Sequence, residues 1–266
     1  MDHLDKLESQ SVYIIREAYK KFQKMSMLWS VGKDSTVLLW LAKKAFYGKV
    51  PFPVIHIDTG LKFKEMYEFR DMCVEKWGLK LIVADNSKEA EEKGIGPDQK
   101  IECCTMRKTE ALKKCIAEHK FEALLLGIRR DEHGIRAKER VFSPRNKDFQ
   151  WDYKNQPPEM WDQFKTQKEG EQHLRVHPLL HWTEIDVWKY VQRENLPINP
   201  LYFAKNGKRY RSLGCVPCTK PIDSTADTVD KIITEVLGSK IGERSGRSQD
   251  KETANAMQKL RSLGYM

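Results

Sequence analysis

The sequence has no long apolar run, few cysteines, and no internal repeat or low-complexity tract. No segment approaches the roughly 20 consecutive apolar residues that a membrane-spanning helix requires, so no membrane partner is expected. Residues 1–16 carry acidic side chains and lack the apolar core of a secretory signal, which favours the cytoplasm. In that reducing compartment the 6 cysteines are expected to be thiols, metal ligands or redox groups rather than disulfides.

The composition is that of a globular protein. The chain has 266 residues, of which 40% are hydrophobic and 32% charged, enough for one large domain with or without an appendage. These values exclude collagen-like, mucin-like and largely disordered classes. Lysine and arginine number 47 against 38 acidic residues. The resulting net charge of +9 favours an anionic partner such as a nucleotide, sulfate or nucleic acid.

Short apolar runs alternate with amphipathic stretches along most of the chain. Strands are predicted over residues 25–30, 54–58, 79–84, 123–127 and 174–180. Helices are predicted over residues 4–22, 35–46, 64–77, 109–119, 184–194, 226–237 and 250–263. Thr183 is the expected N-cap of the helix over 184–194. The alternation predicts an α/β fold with a doubly wound, mostly parallel sheet and a C-terminal helical segment.

A polar segment at residues 30–35 (Ser-Val-Gly-Lys-Asp-Ser) follows a predicted buried strand and opens a helix. Free backbone N–H groups at a helix N-terminus bind anions, Gly32 permits close backbone approach, and Lys33 adds a positive charge. The spacing is not that of a Walker A loop. Taken alone, the segment fits an anion-binding loop and an ordinary strand-to-helix turn equally well.

This segment resembles the pyrophosphate-binding loop of the adenine nucleotide α-hydrolase superfamily, whose members cleave ATP between the α and β phosphates. Residues 58–60 (Asp-Thr-Gly) and 127–130 (Gly-Ile-Arg-Arg) end two further predicted strands, where ligands bind in open α/β sheets. The resemblance implies catalytic roles for Lys33, Asp34, Arg129 and Arg130. It implies ATP and pyrophosphate binding by Ser30, Gly32, Lys33, Asp34, Ser35, Asp58, Thr59, Gly60 and Gly127.

Further similarity at residues 63–71, 136–140 and 176–179 extends the resemblance over nearly the whole chain, to the catalytic subunits of heterodimeric bacterial sulfate adenylyltransferases. These enzymes convert ATP and sulfate to adenylylsulfate and pyrophosphate. The resemblance implies Mg²⁺ and a GTPase large subunit as partner, and it leaves a homo-oligomer open. The developing phosphate charge needs cations. The anion-binding candidates are Lys108, Arg136, Lys138, Arg140, Arg244 and Arg247, although residues 136–140 also fit a solvated charged turn.

The domain organisation follows from these segments. A nucleotide-binding α/β domain is expected over residues 1–210, with a loop insertion near residues 142–170 that is rich in Pro, Asn, Asp, Trp and Gln. A C-terminal segment over residues 211–266 is expected to pack on the same domain and to carry a Cys-x-x-Cys motif.

Four of the cysteines form two pairs, Cys103-Cys104 and Cys215-x-x-Cys218. Four thiolates hold a zinc ion or a [4Fe–4S] cluster, and adjacent cysteines are unusual in structural zinc sites. Residues 103–108, 212–219 and 243–247 resemble the cluster-binding and substrate-binding segments of iron–sulfur adenylylsulfate reductases, which implies a [4Fe–4S] cluster on all four cysteines. The remaining two, Cys73 and Cys115, occupy apolar helix positions and are expected in the core.

Three alternatives stay open. The first is a reductase-like protein that lacks the catalytic cysteine. The reductases attack their substrate with a cysteine near the C-terminus, and no cysteine follows Cys218 here. An iron–sulfur ATP pyrophosphatase of a DNA phosphorothioation system, with DNA or DNA-modification proteins as partners, is the main one. A regulatory nucleotide-binding module without turnover is the third. His56 and His177, next to strand ends, fit either contact with ATP or burial, and Trp29 and Trp40 are expected in the core.

Overall fold

The computed structural model describes residues 1–134, 136–154, 156, 158–161, 163–164, 171–239 and 242–246. The strands are β1 (Met25–Leu28), β2 (Val54–Asp58), β3 (Leu81–Asp85), β4 (Ala123–Leu125), β5 (Phe142–Asn146), β6 (Glu171–Val176), β7 (Lys208–Arg209) and β8 (Ile222–Asp223). The α-helices are α1 (His3–Lys21), α2 (Lys33–Ala45), α3 (Lys64–Trp77), α4 (Ser87–Glu92), α5 (Lys100–Cys104), α6 (Ala111–His119), α7 (Glu184–Arg193) and α8 (Val229–Gly238). A π-helical turn (Thr105–Glu110) joins α5 to α6.

The central sheet has the order β3-β2-β1-β4-β6-β5. All of its neighbouring strands are parallel except β5, which runs antiparallel to β6. The chain proceeds from β1 outwards to β3 and then returns to β4 on the other side of β1. The gap between the ends of β1 and β4 is therefore the topological switch point, where open α/β sheets bind ligands. The predicted doubly wound, mostly parallel α/β fold is confirmed.

The sheet is hydrophobic where both of its faces are covered. Every residue of β1 and of β4 is buried, as expected for central parallel strands with helices on both faces. The helices have local start and stop signals. Capping boxes on Asp2 and Thr183 begin α1 and α7, which confirms the predicted N-cap, and Gly78 ends α3 in the left-handed conformation. Among the described helices, none is both long and apolar enough to cross a membrane.

The outer strands β5 and β6 differ from the sequence prediction. Residues 142–146, placed in a loop by the sequence, form edge strand β5; Pro144 is tolerated there because an edge strand does not need every N–H in the ladder. The strand predicted over 174–180 lies at Glu171–Val176, and the apolar residues after it enter turns that lead to α7. Apolar composition alone did not distinguish a buried strand from a buried turn.

The helix predicted from residue 109 begins at Lys100 and includes the π-helical turn, and α2 begins at Lys33 rather than Ser35. The helix predicted over 226–237 is α8, at Val229–Gly238, and it packs against α7. The predicted helix over 250–263 lies outside the described residues. The domain boundary at residue 210 stays a prediction.

Candidate active site

A pocket opens at the carboxyl ends of β1, β2 and β4, at the switch point. It encloses about 1030 Å³ of empty space, including its open mouth. Its apolar lining comes from the strand ends: Leu28, Trp29, Ile55, Ile57, Leu126 and Ile128. Its polar lining brings together eight of the predicted site residues: Ser30, Gly32, Asp34, Ser35, Lys108, Gly127, Arg136 and Arg244.

The loop between β1 and α2 has an unusual backbone. Val31 has φ +65°, a left-handed conformation that is rare for a β-branched residue, and outliers of this kind concentrate at functional sites. Gly32 is the N-cap of α2. The backbone N–H of Lys33 donates to the Tyr202 hydroxyl at 3.0 Å, and an added Cβ on Gly32 would lie 3.2 Å from that oxygen. Tyr202 was not predicted, because it comes 169 residues later in the chain.

Gly127 brings the end of β4 against the start of α2. A Cβ at this position would lie 3.0 Å from the backbone nitrogen of Ser35 and 3.1 Å from the carbonyl carbon of Asp34. Backbone atoms cannot yield as a flexible side chain does, so glycine permits this contact. The close approach places the residues after β4 beside α2.

Lys33 and Arg129, here called the cationic cradle, have fully buried side chains. The Lys33 ammonium donates to Asp34 at 3.0 Å and also to Glu243. The Arg129 guanidinium pairs with Asp34 and Glu243, and it donates to Asp131 at 2.9 Å. Neither cation is among the described residues that line the pocket, whereas Asp34 and Glu243 both line it.

The charges of this network stabilise one another. Burial raises the pKa of Glu243, but the nearby Arg129 and Lys33 lower it more, and the net pKa lies well below its usual value. Burial lowers the pKa of Arg129, yet Glu243 and Asp131 outweigh this and raise it. Glu243 was not predicted as a site residue.

A second group of charges lines the pocket. Glu132 accepts hydrogen bonds from Arg136 and, at 2.8 Å, from Arg244. Both arginines are thus held in the lining by one carboxylate, and Lys108, from the π-helical turn, lines the pocket with them. A π-helical turn often occurs at functional sites.

Besides Lys33 and Arg129, three more of the predicted cations are not in the described pocket lining. Arg130 pairs with His181 at 2.8 Å, and the Lys138 ammonium lies 5.6 Å from the ring centroid of Tyr153. Arg140 offers its backbone carbonyl to His177 at 2.7 Å. The catalytic role of Arg130 and the anion-binding roles of Lys138 and Arg140 stay predictions, and Arg247 lies outside the described residues.

The Asp-Thr-Gly segment after β2 forms a tight turn. The Asp58 carboxylate accepts hydrogen bonds from the Gly60 N–H at 2.9 Å and from the Tyr67 hydroxyl at 2.7 Å. Burial raises the pKa of Asp58, but these two donors outweigh burial, and the net pKa is below its usual value. Gly60 has φ +68°, which favours glycine. The turn lies outside the pocket lining, and its nucleotide contact stays a prediction.

Thr59 faces a second cavity instead. This cysteine cavity is lined by the four predicted cysteines together with Thr59, Leu61, Pro97, Lys100, Arg107 and Lys108. The Thr59 hydroxyl lies 3.2 Å from the Cys215 sulfur, and its carbonyl accepts from Arg107 at 2.9 Å. Burial raises the pKa of Cys103, and its neighbour Cys104 raises it further. In the described part of the chain, no group of three or more His, Cys, Asp or Glu side chains could hold a metal ion.

The other two cysteines and two of the histidines are core residues. Cys73 and Cys115 pack in the hydrophobic core, as predicted, and burial raises their pKa values to about 12 and about 11. His56 bonds the Trp29 carbonyl at 3.1 Å. Burial lowers the pKa of His56 to about 4 and that of His177 to about 3, so both are neutral at pH 7. Neither histidine lines the pocket, which favours the buried alternative.

Comparison with known proteins places this chain in a family. The phosphoadenosine phosphosulfate reductase domain model matches residues 24–221. The sulfate adenylyltransferase subunit 2 of Bacteroides fragilis is 42% identical, with 100% of this chain and 98% of the relative covered. The protein of the same name from Marinomonas sp. is 43% identical with the same coverage.

Solved structures agree with this fold. The phosphoadenylyl-sulfate reductase of Candida auris has a TM-score of 0.56 at 16% identity, covering 81% of this chain and 95% of that one. The FMN adenylyltransferase of Candida glabrata, with FAD and inorganic pyrophosphate, has a TM-score of 0.60 at 21% identity, covering 82% and 64%. At these identities the likeness shows the fold alone. Because its curated relatives match over their whole length, the chain belongs to the sulfate adenylyltransferase subunit 2 family of nucleotidyltransferases, within the phosphoadenosine phosphosulfate reductase domain family.

Proposed function

We propose that this protein cleaves ATP between the α and β phosphates and transfers AMP to sulfate, releasing pyrophosphate, as the names of its relatives indicate. One observation carries the proposal from the structure: two buried cations, Lys33 and Arg129, lie at the switch point beside the start of α2. Fixed positive groups in a buried site stabilise the charge that develops as pyrophosphate leaves.

The remaining parts of the pocket suit the two substrates. The apolar strand ends offer a surface for an adenine ring, and the phosphates are expected toward the cradle. Sulfate has no proton to lose at neutral pH, so no general base is required and positioning supplies much of the rate. Lys108, Arg136 and Arg244 line the same pocket and are the proposed sulfate-binding groups.

Mg²⁺ fits this arrangement. It is held by one or two carboxylates together with substrate phosphates, rather than by an all-protein cage. Asp34 is a carboxylate of the pocket lining next to the proposed phosphate position, and it would hold the ion. When bound, Mg²⁺ would neutralise part of the phosphate charge.

The four cysteines are the proposed ligands of a [4Fe–4S] cluster. All four line one cavity, and each iron of such a cluster takes one thiolate. Arg107 and Lys108 in the same lining offset the negative charge of bound thiolates. When bound, the cluster would clamp Cys103 and Cys104 to the segment carrying Cys215 and Cys218.

A partner subunit is also part of the proposal. The relatives are named as subunit 2, which implies a second subunit in those proteins. We propose that this chain works with a GTPase large subunit that drives the unfavourable adenylylation of sulfate.

Pyrophosphate release from ATP by the anaerobically purified protein tests this function, with sulfate and with molybdate as a dead-end mimic of sulfate. Stimulation by molybdate is expected, since the pocket would take a small tetrahedral oxyanion. A rate of pyrophosphate release that is unchanged by both oxyanions but increased by DNA would overturn sulfate as the acceptor. It would favour the DNA phosphorothioation alternative.

A further inference from the structure

The Glu243 carboxylate occupies a position that a phosphate group would be expected to take. It bonds both cations of the cradle, Lys33 and Arg129. It comes from a short 3₁₀ turn (Glu243–Gly246) that lies 210 residues after Lys33 in the chain. Because Asp34 and Glu243 line the pocket and the two cations do not, a ligand in the pocket meets carboxylates before it meets the cradle.

The carboxylates around the cradle already outnumber its cations. Two cations face three carboxylates, namely Asp34, Asp131 and Glu243. A polyphosphate that entered this arrangement would add negative charge to a buried network that has no spare positive charge, which is costly in a low dielectric. One carboxylate must therefore withdraw before phosphate oxygens can bond Lys33 and Arg129.

Of the three carboxylates, Glu243 is the one that can leave without disturbing the fold. Asp34 is in the first turn of α2, which packs in the core. Asp131 also accepts the backbone N–H of Glu184 at 2.8 Å and so helps fix the start of α7. Within the described part of the chain, the Glu243 side chain bonds Lys33 and Arg129 alone, and the next residue, Arg244, is held in the pocket lining by Glu132.

We propose that Glu243 is an internal substitute for phosphate, which fills the cradle without nucleotide and is displaced, with residues 242–246, when ATP or pyrophosphate binds. The inference rests on the proposed function, because it takes the cradle as the phosphate site. Carboxylate and phosphate oxygens accept the same charge-assisted hydrogen bonds from lysine and arginine. The substitute keeps two buried cations paired in the empty site, since an unpaired buried charge is strongly destabilising.

The binding of inorganic pyrophosphate, measured by calorimetry on the full chain, tests the displacement. Glu243→Gln keeps the shape of the side chain and removes the competing charge, so roughly tenfold tighter binding than in the wild type is expected. Glu235→Gln is the matched control: Glu235 pairs with the buried Arg209 outside the pocket, and its substitution is expected to leave pyrophosphate affinity unchanged. Equal or weaker binding by Glu243→Gln would overturn the proposal.

Hydrogen exchange of the wild-type protein gives a second readout that needs no variant. Backbone amides of residues 242–246 are expected to exchange faster with pyrophosphate than without it, because the segment leaves the cradle. Unchanged or slower exchange in the pyrophosphate complex would contradict displacement.

The two proposals fail separately. If Glu243→Gln binds pyrophosphate more tightly but neither it nor the wild type releases pyrophosphate from ATP, the displacement stands and the proposed function fails. If ATP is cleaved in a sulfate-dependent way while Glu243→Gln binds pyrophosphate no better than the wild type, the function stands and the displacement is wrong.

Discussion

The cationic cradle and the cysteine cavity lie close together but are built differently. In the cradle, each cation is already paired with carboxylates of the protein. In the cysteine cavity, four buried thiols share a lining with Arg107 and Lys108 and with no carboxylate among the described lining residues. An ion-paired network suits a ligand that binds and dissociates, because its buried charges stay paired without the ligand. Clustered thiols beside cations suit a group that stays bound to sulfur.

The two regions meet at Lys108, and the turn after β2 borders the cysteine cavity. Lys108 lines both the pocket and the cysteine cavity, and Thr59, in the turn after β2, contacts Cys215. The comparison therefore makes separable predictions. Changes in the cradle should affect ATP chemistry and leave metal content alone, whereas changes in the cavity should affect metal content first.

The largest expected effect is in the cradle. Lys33→Ala should lower pyrophosphate release by ~10²–10³-fold, because one fixed cation is removed from the developing phosphate charge. Lys44→Ala is the matched control, since Lys44 pairs with Glu8 and Glu194 outside the pocket. Thermal unfolding of both variants separates lost activity from lost structure. An unchanged rate in folded Lys33→Ala would show that the phosphates bind elsewhere.

The next largest effect is expected in the cysteine cavity. Cys215→Ser should remove most of the iron and the brown colour of anaerobically purified protein, because one of four proposed ligands is lost. Cys115→Ser, in the core and outside the cavity, should keep its iron. Iron and sulfide analysis measures both. Full iron content in Cys215→Ser would mean that the ligand set is wrongly assigned.

A third change acts on the backbone beneath the cradle. Gly127→Ala should destabilise the fold by about 1–3 kcal/mol, because the added Cβ meets the backbone of Asp34 and Ser35. Because the cradle is displaced, the rate of pyrophosphate release should fall on the order of tenfold. Gly96→Ala is the control, since nothing lies within 4 Å of its Cβ position. Equal melting temperatures for the two variants would contradict the close approach of β4 to α2.

The smallest effect concerns Thr59, in the turn after β2. Thr59→Val removes the hydroxyl that contacts Cys215, a bond of about 1 kcal/mol, so iron loss to a chelator should become several-fold faster. If Thr59 serves the cysteine cavity, the KM for ATP should change by less than about twofold. A large rise in KM with steady iron would instead support the nucleotide contact predicted from the sequence.

The sequence predicted the parts of this molecule that depend on local pattern. Buried strands such as β1 and β4 are mostly apolar, and the polar residues and the glycine of the β1–α2 loop are adjacent in the sequence. The edge strand β5 was missed because Phe142–Asn146 contains proline and no alternation. Its pairing with β6 is decided by a neighbouring strand, which no local pattern records.

The site was predicted in part for the same reason. Motifs located Lys33 and the two cysteine pairs, and the fold brought the cysteines to one cavity. Tyr202 carries no local signal, and Glu243 lies in the substrate-binding-like segment 243–247 without a predicted role of its own. The roles of both arise from tertiary contacts with a segment 169 and 210 residues away. Arg130 was predicted beside Arg129, but adjacent residues after a strand point in different directions, and it pairs with His181 instead.

The most direct test of the central claim is the identity of the bond that is cleaved. Phosphorus NMR of ATP incubated with the anaerobically purified protein, Mg²⁺ and molybdate distinguishes the two possibilities in one spectrum. AMP and pyrophosphate in equal amounts are expected, and both should disappear in Lys33→Ala. ADP and orthophosphate as the products would contradict cleavage between the α and β phosphates, and with it the proposed function of the cradle.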